Sequence, residues 1–219
     1  MIFYFLRSGL SLITLAEVAI FLGALLIAIT VHEFAHALAA EKLGDPTARL
    51  LGRLTLNPKA HLDPVGTLMI LFSGFGWGRP VPFNPLNLPN PRRDSALISF
   101  AGPVSNILTA LIFALPYRLG LPILNSSLAF ELILTIVSIN IGLAVFNLIP
   151  IYPLDGFRIV GGLLPSAFAR HWELTASYGI FFLLFLVFLP SGFSLINSFV
   201  VPLSRTLLLL ILGNSILIS

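Results

Sequence analysis

The sequence has no cysteine and few charged residues. Charged side chains make up 10% of the 219 residues, whereas hydrophobic residues make up 57% and the mean hydropathy is +1.00. Soluble domains carry about 25% charged residues, so this composition excludes an ordinary soluble protein and predicts an integral membrane protein. The absence of cysteine excludes disulfide bonds and thiolate metal ligands. Any zinc site in this chain must therefore use histidine and carboxylate ligands.

Three of the few titratable side chains indicate a metal site. The chain has only four histidines, and two of them, His32 and His36, flank Glu33 in the pattern His-Glu-x-x-His at the end of a long apolar run. On a helix, residues four apart share a face, so both imidazoles can bind one cation. A carboxylate beside them can take a proton from the water that zinc activates. Such side chains are costly in a membrane-length helix unless they are ligated or paired, which favours function over chance.

The net charge of +3 does not indicate a nucleic-acid partner. The basic residues lie in loops beside apolar segments, a pattern that membrane topology explains better. Two loops, at 41–64 and 78–94, lie on one side of the membrane together with later basic residues. The opposite side has mainly two basic residues. The positive-inside rule therefore predicts that the loop-rich face is cytoplasmic and that the metal site lies toward it. The basic residues of that face are Lys42, Arg49, Arg53, Lys59, Arg79, Arg92, Arg93, Arg158 and Arg170, and those of the opposite side are Arg7 and Arg118.

The apolar segments predict an all-α polytopic membrane protein with a bundle of about five to six transmembrane helices. A helix needs about 20 apolar residues to cross a bilayer. Long apolar segments occur at 10–43, 95–119, 127–149, 174–189 and 193–212. We expect a single domain over 1–219, with its core at 10–156 and additional transmembrane helices at 174–213.

Two shorter segments follow the motif helix. Residues 48–56 contain β-formers that alternate imperfectly, which predicts a short strand pair or β-hairpin near the membrane surface. Residues 65–75 are apolar but too few to cross as a helix, so we expect a re-entrant or interfacial segment. The following residues, 74–94, are rich in glycine, proline and asparagine and predict a loop beside the site.

The sequence offers several candidates for the third metal ligand. Asp155 follows a stretch broken by Pro150 and Pro153, and irregular backbone at membrane depth is tolerated only where it is buried or lines a wet cavity. Asp155 is therefore a candidate ligand, but it can equally be the N-cap of a short helix over 156–164. The rival candidates are Glu173 and two residues of a predicted turn, His61 and Asp63, which more plainly order their loop.

Other polar residues of the apolar segments have open roles. Asn147 can donate its amide to a developing oxyanion, or can form an interhelical hydrogen bond. Gly102 and Asn106 are spaced for close approach of helices rather than for substrate contact. Glu17 lies far from the motif and is expected to be interfacial or paired within the bundle.

Three patterns together resemble the site-2 protease family of intramembrane zinc metalloproteases. They are His32-Glu33-x-x-His36 in one apolar helix, Gly102-Pro103-x-x-Asn106 in a second, and Asn147-x-x-Pro150-x-x-x-Leu154-Asp155-Gly156 at the end of a third. The resemblance spans residues 31–156 and is to the small members that have no PDZ domain between these patterns.

The resemblance implies a zinc metalloendopeptidase that hydrolyses peptide bonds in or next to transmembrane segments. It implies one Zn²⁺ per chain on His32, His36 and Asp155, Glu33 as the catalytic carboxylate, and Asn147 near the reacting carbonyl. The implied partners are a membrane-protein or peptide substrate and the lipid bilayer, and the expected location is the cell membrane. The alternative is a zinc-binding membrane transporter, in which buried histidine and acidic residues would line an ion path.

Overall fold

A computed structural model of the protein describes residues 12–73, 76–189 and 194–213. Regular structure in these ranges is helical, as the composition predicts. The α-helices are α1 (Leu12–Lys42), α2 (Thr47–Leu50), α3 (Pro64–Ser73), α4 (Pro91–Arg118), α5 (Ser127–Asn147), α6 (Asp155–Leu163), α7 (Ser166–Leu174), α8 (Ala176–Phe188) and α9 (Val201–Leu212). Helical turns of other types lie at Pro58–Ala60, Pro85–Asn87, Pro122–Asn125 and Ile196–Val200.

The three helices α1, α4 and α5 are long and apolar enough to cross a membrane. The shortest of them, α5, has 21 residues and would be about 31 Å long at 1.5 Å per residue, close to the thickness of a hydrocarbon core. These three helices correspond to the predicted segments at 10–43, 95–119 and 127–149. Residues 10 and 11 of the first segment lie outside the described residues.

Helix α4 packs against α1, α5 and α6, and α1 and α5 also pack against each other. Small side chains allow this close packing: Ala110 and Ala114 of α4 are buried against Val137 and Ile141 of α5. Nearer the metal-site end, Ile98 of α4 packs in a second cluster with residues of α1 and of the loop before α4. The fold therefore brings the C-terminal end of α1, the N-terminal half of α4 and the C-terminal end of α5 together.

The predicted strand pair at 48–56 is wrong. Residues 47–50 form the helical turn α2, in which the Asp45 carboxylate accepts a hydrogen bond from the Thr47 N–H. Such local bonds from side chain to backbone compete with strand pairing. The β-type pairing recorded in the described residues is one isolated antiparallel bridge between Leu62 and Gly78. The loop between α1 and α4 is therefore held mainly by side chains and turns.

The predicted count of five to six transmembrane helices is not confirmed. The segment predicted at 174–189 is divided at Thr175, between α7 and α8, and α8 has 13 residues. The helical stretch Ile196–Leu212 is also shorter than the usual span. Helix α3 has 10 residues, so the prediction that this segment is too short to cross holds. Residues 74–75 and 193 of the predicted segments lie outside the described residues.

Candidate metal centre

Two imidazoles and one carboxylate meet where α1, α4 and α6 approach one another. The Nε2 atoms of His32 and His36 are 3.0 Å apart. The Oδ2 atom of Asp155 lies 3.1 Å from Nε2 of His32 and 3.3 Å from Nε2 of His36. Both histidines are buried, and these three residues are the group within the described part of the chain whose atoms could hold a metal ion. The structure thus brings together His32, His36 and Asp155, three of the residues that the sequence patterns singled out.

Hydrogen bonds at the Nδ1 atom of each histidine determine that its Nε2 atom faces Asp155. Nδ1 of His36 lies 2.7 Å from the carbonyl oxygen of Ile98, which can only accept, so this nitrogen carries the proton. Nδ1 of His32 donates in the same way to Oδ1 of Asn106 at 2.6 Å. In the neutral rings both Nε2 atoms therefore present lone pairs, the form in which histidine binds a metal.

The amide of Asn106 is itself fixed by a buried network. Its Nδ2 group donates to the Ala28 carbonyl at 3.0 Å and to Oδ1 of Asn140 at 2.9 Å. Asn140 in turn donates to the Ile136 carbonyl at 2.8 Å. Both backbone carbonyls can only accept hydrogen bonds, so the atom next to each carbonyl must be the Nδ2 of the asparagine. Oδ1 of Asn106 therefore faces His32.

The three converging atoms fit a cation. With both Nε2 atoms unprotonated, no hydrogen lies between the two nitrogens, and Oδ2 of Asp155 is buried without a hydrogen-bond donor among the described residues. Three electron-rich atoms this close repel one another unless a positive charge lies among them. Two histidine nitrogens and one carboxylate oxygen form a donor set typical of catalytic zinc, which leaves a position for water.

Gly102 of α4 makes room for the two histidines. A Cβ atom on this residue would lie 2.5 Å from Cε1 and Nε2 of His36 and 2.6 Å from Cε1 of His32, well inside van der Waals contact. Any larger residue would push the imidazoles away from Asp155. The sequence predicts close approach of helices at Gly102, and the atoms that approach it are those of the histidine rings of α1.

Asp155 is not the N-cap of its helix. Helix α6 begins at Asp155 itself, Leu154 occupies the cap position, and no side chain caps the helix. The carboxylate is directed toward the two histidines instead. Gly156 allows this arrangement, because a Cβ atom there would lie 2.3 Å from the Leu148 carbonyl oxygen at the end of α5. The alternative that Asp155 only caps a helix is wrong.

Glu33 lies beside the histidines on α1 and is half-buried. Its Oε2 atom accepts a hydrogen bond of 2.8 Å from the Val81 N–H in the loop before α4. The same loop contacts α6, where the guanidinium of Arg158 lies 4.7 Å from the ring centre of Phe83. The loop predicted beside the site is thus confirmed for its described residues, 76–90, although α4 begins at Pro91, earlier than expected.

The rival ligand candidates lie elsewhere and have other partners. Oδ1 of Asp63 accepts a hydrogen bond of 2.8 Å from the Gly66 N–H at the start of α3. His61 is fully buried and its Nε2 pairs with the Thr55 carbonyl at 2.8 Å. Both residues order their loop, as the turn pattern predicts. Glu173 is exposed on α7.

Asn147 is not brought into the group of three. Its side-chain amide donates to the Leu143 carbonyl, one turn earlier in α5, at 3.0 Å. The residues that sequence reasoning missed are Asn140, the Ile98 carbonyl and the Val81 N–H. Only Asn140, a buried polar residue in the middle of a largely apolar helix, left a signal that could have found it.

The chain is similar to known metalloproteases. The model of peptidase family M50 matches residues 117–189, which include Asn147 and Asp155. A protein of Bacillus subtilis (strain 168) that is named as a zinc metalloprotease, YwhC, is 42% identical over 174 residues, covering 77% of this chain and 80% of that protein.

Mycobacterial proteins named as zinc metalloproteases, Rip2, are more distant. The protein of Mycobacterium tuberculosis (strain H37Rv) is 29% identical over 176 residues, and that of Mycolicibacterium smegmatis is 27% identical over 175 residues. Each alignment covers 76% of this chain and 65% of the relative. No solved structure matches the chain. These relatives do not favour the transporter alternative.

Three findings support the same assignment. The chain has apolar helices of membrane-spanning length, a buried cluster of two histidines and an aspartate, and a relative that is aligned over most of both chains. The chain belongs to peptidase family M50, the site-2 protease family, and is an integral membrane zinc metallopeptidase.

Proposed function

We propose that this peptidase hydrolyses peptide bonds within or next to transmembrane segments of membrane proteins. His32, His36 and Asp155 hold one zinc ion per chain, and Glu33 is the general base. The observation that carries this proposal is the convergence of two Nε2 atoms and one carboxylate oxygen, without an intervening proton, at the end of a membrane-length helix.

The residues of the chain divide the chemistry among them. Zinc, when bound, supplies Lewis-acid activation of water and of the peptide carbonyl. Glu33 accepts the proton of the attacking water and can return it to the leaving nitrogen, which a carboxylate next to His32 is placed to do. The hydrogen bond from Val81 orients this carboxylate and leaves its second oxygen available for that proton. Asn106 and the Ile98 carbonyl keep the imidazoles in the metal-binding tautomer.

The position of the site in the membrane follows from the helices that form it. His36 lies less than two turns before the C-terminal end of α1, so water can reach the site from one surface. The basic residues at that end favour the cytoplasmic side. In this proposal α8 and the stretch Ile196–Leu212 complete the bundle within the membrane, despite their modest length.

Asn147 is proposed to act only after its side chain leaves the Leu143 carbonyl. The amide is half-buried at the end of α5, eight residues before Asp155. A change of rotamer on substrate binding would free its Nδ2 group to donate to the carbonyl oxygen as negative charge develops there.

The test is the variant Glu33→Gln, with Glu41→Gln as a matched control on the same helix. Glu33→Gln should bind zinc as the wild type does but lose about 10²- to 10⁴-fold in cleavage of a membrane-helix reporter in detergent, because amide nitrogen and oxygen do not accept the proton. Glu41→Gln should cleave normally, since Glu41 pairs with Arg49 away from the site. Normal turnover by Glu33→Gln would end the general-base assignment. A chelator should abolish wild-type cleavage.

A further inference from the structure

Arg53, in the loop between α1 and α4, is a buried charge outside the ligand group. Only 6% of the residue is exposed. No carboxylate contacts its guanidinium among the residues that the structure describes, and its buried Nε–H has no hydrogen-bond partner there. A buried guanidinium without a contact ion pair is unfavourable, so its retention in such a charge-poor chain calls for a reason beyond packing.

The partner of Arg53 is a backbone group. Its Nη2 group donates to the carbonyl oxygen of Arg79. The N–H of the same residue, Arg79, donates to the His61 carbonyl at 2.7 Å, and the neighbouring Gly78 forms the isolated bridge with Leu62. The peptide segment at 78–79 is therefore held on both sides, with Arg53 as the only charged group in this set of contacts.

The held segment leads directly to Glu33. Two residues after Arg79, the Val81 N–H donates the 2.8 Å hydrogen bond to Oε2 of Glu33. Pro80, the residue between them, has a fixed φ angle, so the position of the Arg79 carbonyl restricts the position of the Val81 N–H. Burial and the neighbouring Arg79 lower the pKa of Arg53, and the attraction of the nearby Glu33 carboxylate opposes that change.

We propose that Arg53 is a positioning residue, which holds the backbone at 79–81 against α1 and thereby directs the Glu33 carboxylate for proton transfer. The inference rests on the proposed function of Glu33. It differs from a purely structural role of Arg53, in which the loop would be stabilised without any effect on the carboxylate.

The experiment compares Arg53→Gln and Arg53→Lys with Arg49→Gln, each in the full-length protein in detergent. Arg49 is the matched control because it is an exposed arginine on the same loop that pairs with Glu41. Three quantities are measured: zinc content, kcat and KM on a membrane-helix reporter, and hydrogen–deuterium exchange of the peptide that contains Val81.

For Arg53→Gln we expect full zinc content, a kcat reduced by about 10- to 100-fold from a misdirected carboxylate, and a KM changed by less than about threefold. Exchange at Val81 should be faster, because its amide loses its fixed acceptor. Arg53→Lys keeps a cationic donor and should restore part of both quantities. Arg49→Gln should match the wild type in all three.

Several results would overturn the proposal: unchanged exchange at Val81 in Arg53→Gln, a raised KM with an unchanged kcat, or loss of zinc with the activity. If Arg53→Gln does not fold, Arg53→Lys and Arg53→Met are compared instead. Wild-type exchange and wild-type kcat in both folded variants would also overturn the proposal. A wild-type protein that binds zinc but cleaves no reporter would contradict the proposed function, and the exchange measurement would still decide whether Arg53 controls the Val81–Glu33 bond.

Discussion

At the scale of single residues, the metal centre depends on side chains that touch no metal. Asn106 and the Ile98 carbonyl select the tautomers of the histidines, and Gly102 leaves the space into which both rings fit. Such supporting groups commonly change metal affinity by about 10- to 100-fold when they are removed. The ligands alone therefore do not make the site.

The substitution Gly102→Ala tests the fit of the rings. Its new methyl group would lie 2.5 Å from His36 atoms, so we expect the imidazoles to move and zinc affinity to fall by about 10-fold or more. The control is Gly142→Ala in α5, where a Cβ atom would meet nothing within 4 Å. Zinc titration of the two purified variants gives the comparison, and wild-type affinity in Gly102→Ala would contradict the packing argument.

Part of this site was predictable at the residue scale. The spacing of His32 and His36 follows from helix geometry, which is local. The choice among Asp155, Asp63 and His61 was not predictable from local rules, because the local sequence explains each of them equally well as a cap or a turn residue. Contacts across the fold decide it: Asp63 caps α3, and Asp155 reaches the histidines.

At the scale of elements, the end of α1 is tied to the loop that precedes α4. Gly44 follows the end of α1 with a φ of +105°, a left-handed conformation that favours glycine. The next residue, Asp45, is fully buried and accepts hydrogen bonds from the Asn84 N–H at 2.7 Å and from Nδ2 of Asn87 at 2.6 Å. This carboxylate joins two ends of the long loop that also contains Val81.

Replacement of Asp45 by alanine should loosen that connection. The half-buried Asn84 N–H and the exposed Asn87 amide would lose their charged acceptor, and a hydrogen bond to a charged group contributes about 1.5–3 kcal/mol. We expect the thermal midpoint of Asp45→Ala in detergent to fall by several degrees. Glu41→Gln, which breaks a partly exposed ion pair, should change stability by at most about 1 kcal/mol. Equal midpoints for Asp45→Ala and the wild type would contradict the anchoring role.

Stability should also depend on pH through Asp45. Burial by itself would raise the pKa of this carboxyl, but hydrogen bonds from Thr47, Asn87 and Asn84 outweigh burial and lower the pKa below its ordinary value. A lowered pKa means that the folded state favours the carboxylate, so this stabilisation is present above about pH 4 and is lost as the pH falls further. In Asp45→Asn, thermal midpoints should lack this part of the acid dependence.

At the scale of the whole molecule, the path of the chain places the site. Helices α1 and α5 run toward the metal centre, and α4 runs away from it between them. Between the end of α1, which carries His36, and Asp155, the chain crosses the bundle twice, through α4 and α5. His36 and Asp155 can meet only because this number of crossings is even. The charge pattern predicts that this end is cytoplasmic.

Single cysteines can test this orientation, because the chain has none of its own. Lys59→Cys lies in an exposed turn on the side of the site, and Ser127→Cys lies at the exposed start of α5, at the other end of the bundle. In intact bacterial cells, a maleimide that does not cross membranes should label Ser127→Cys, and it should label Lys59→Cys only after the cells are opened. The reverse pattern would place the site on the outer side.

The sequence alone determined the properties that depend on near neighbours: an apolar composition that requires a membrane, helices of spanning length, and two histidines on one helix face with a glutamate beside them. Tertiary structure decided how Asp155, which only the family resemblance implied as a ligand, reaches the histidines, how Asn106 holds His32 from 74 positions away, and which backbone N–H holds Glu33. The physical reason is that composition and helix periodicity act within a few residues, whereas a coordination site depends on atoms placed to within a fraction of an ångström by packing between distant segments.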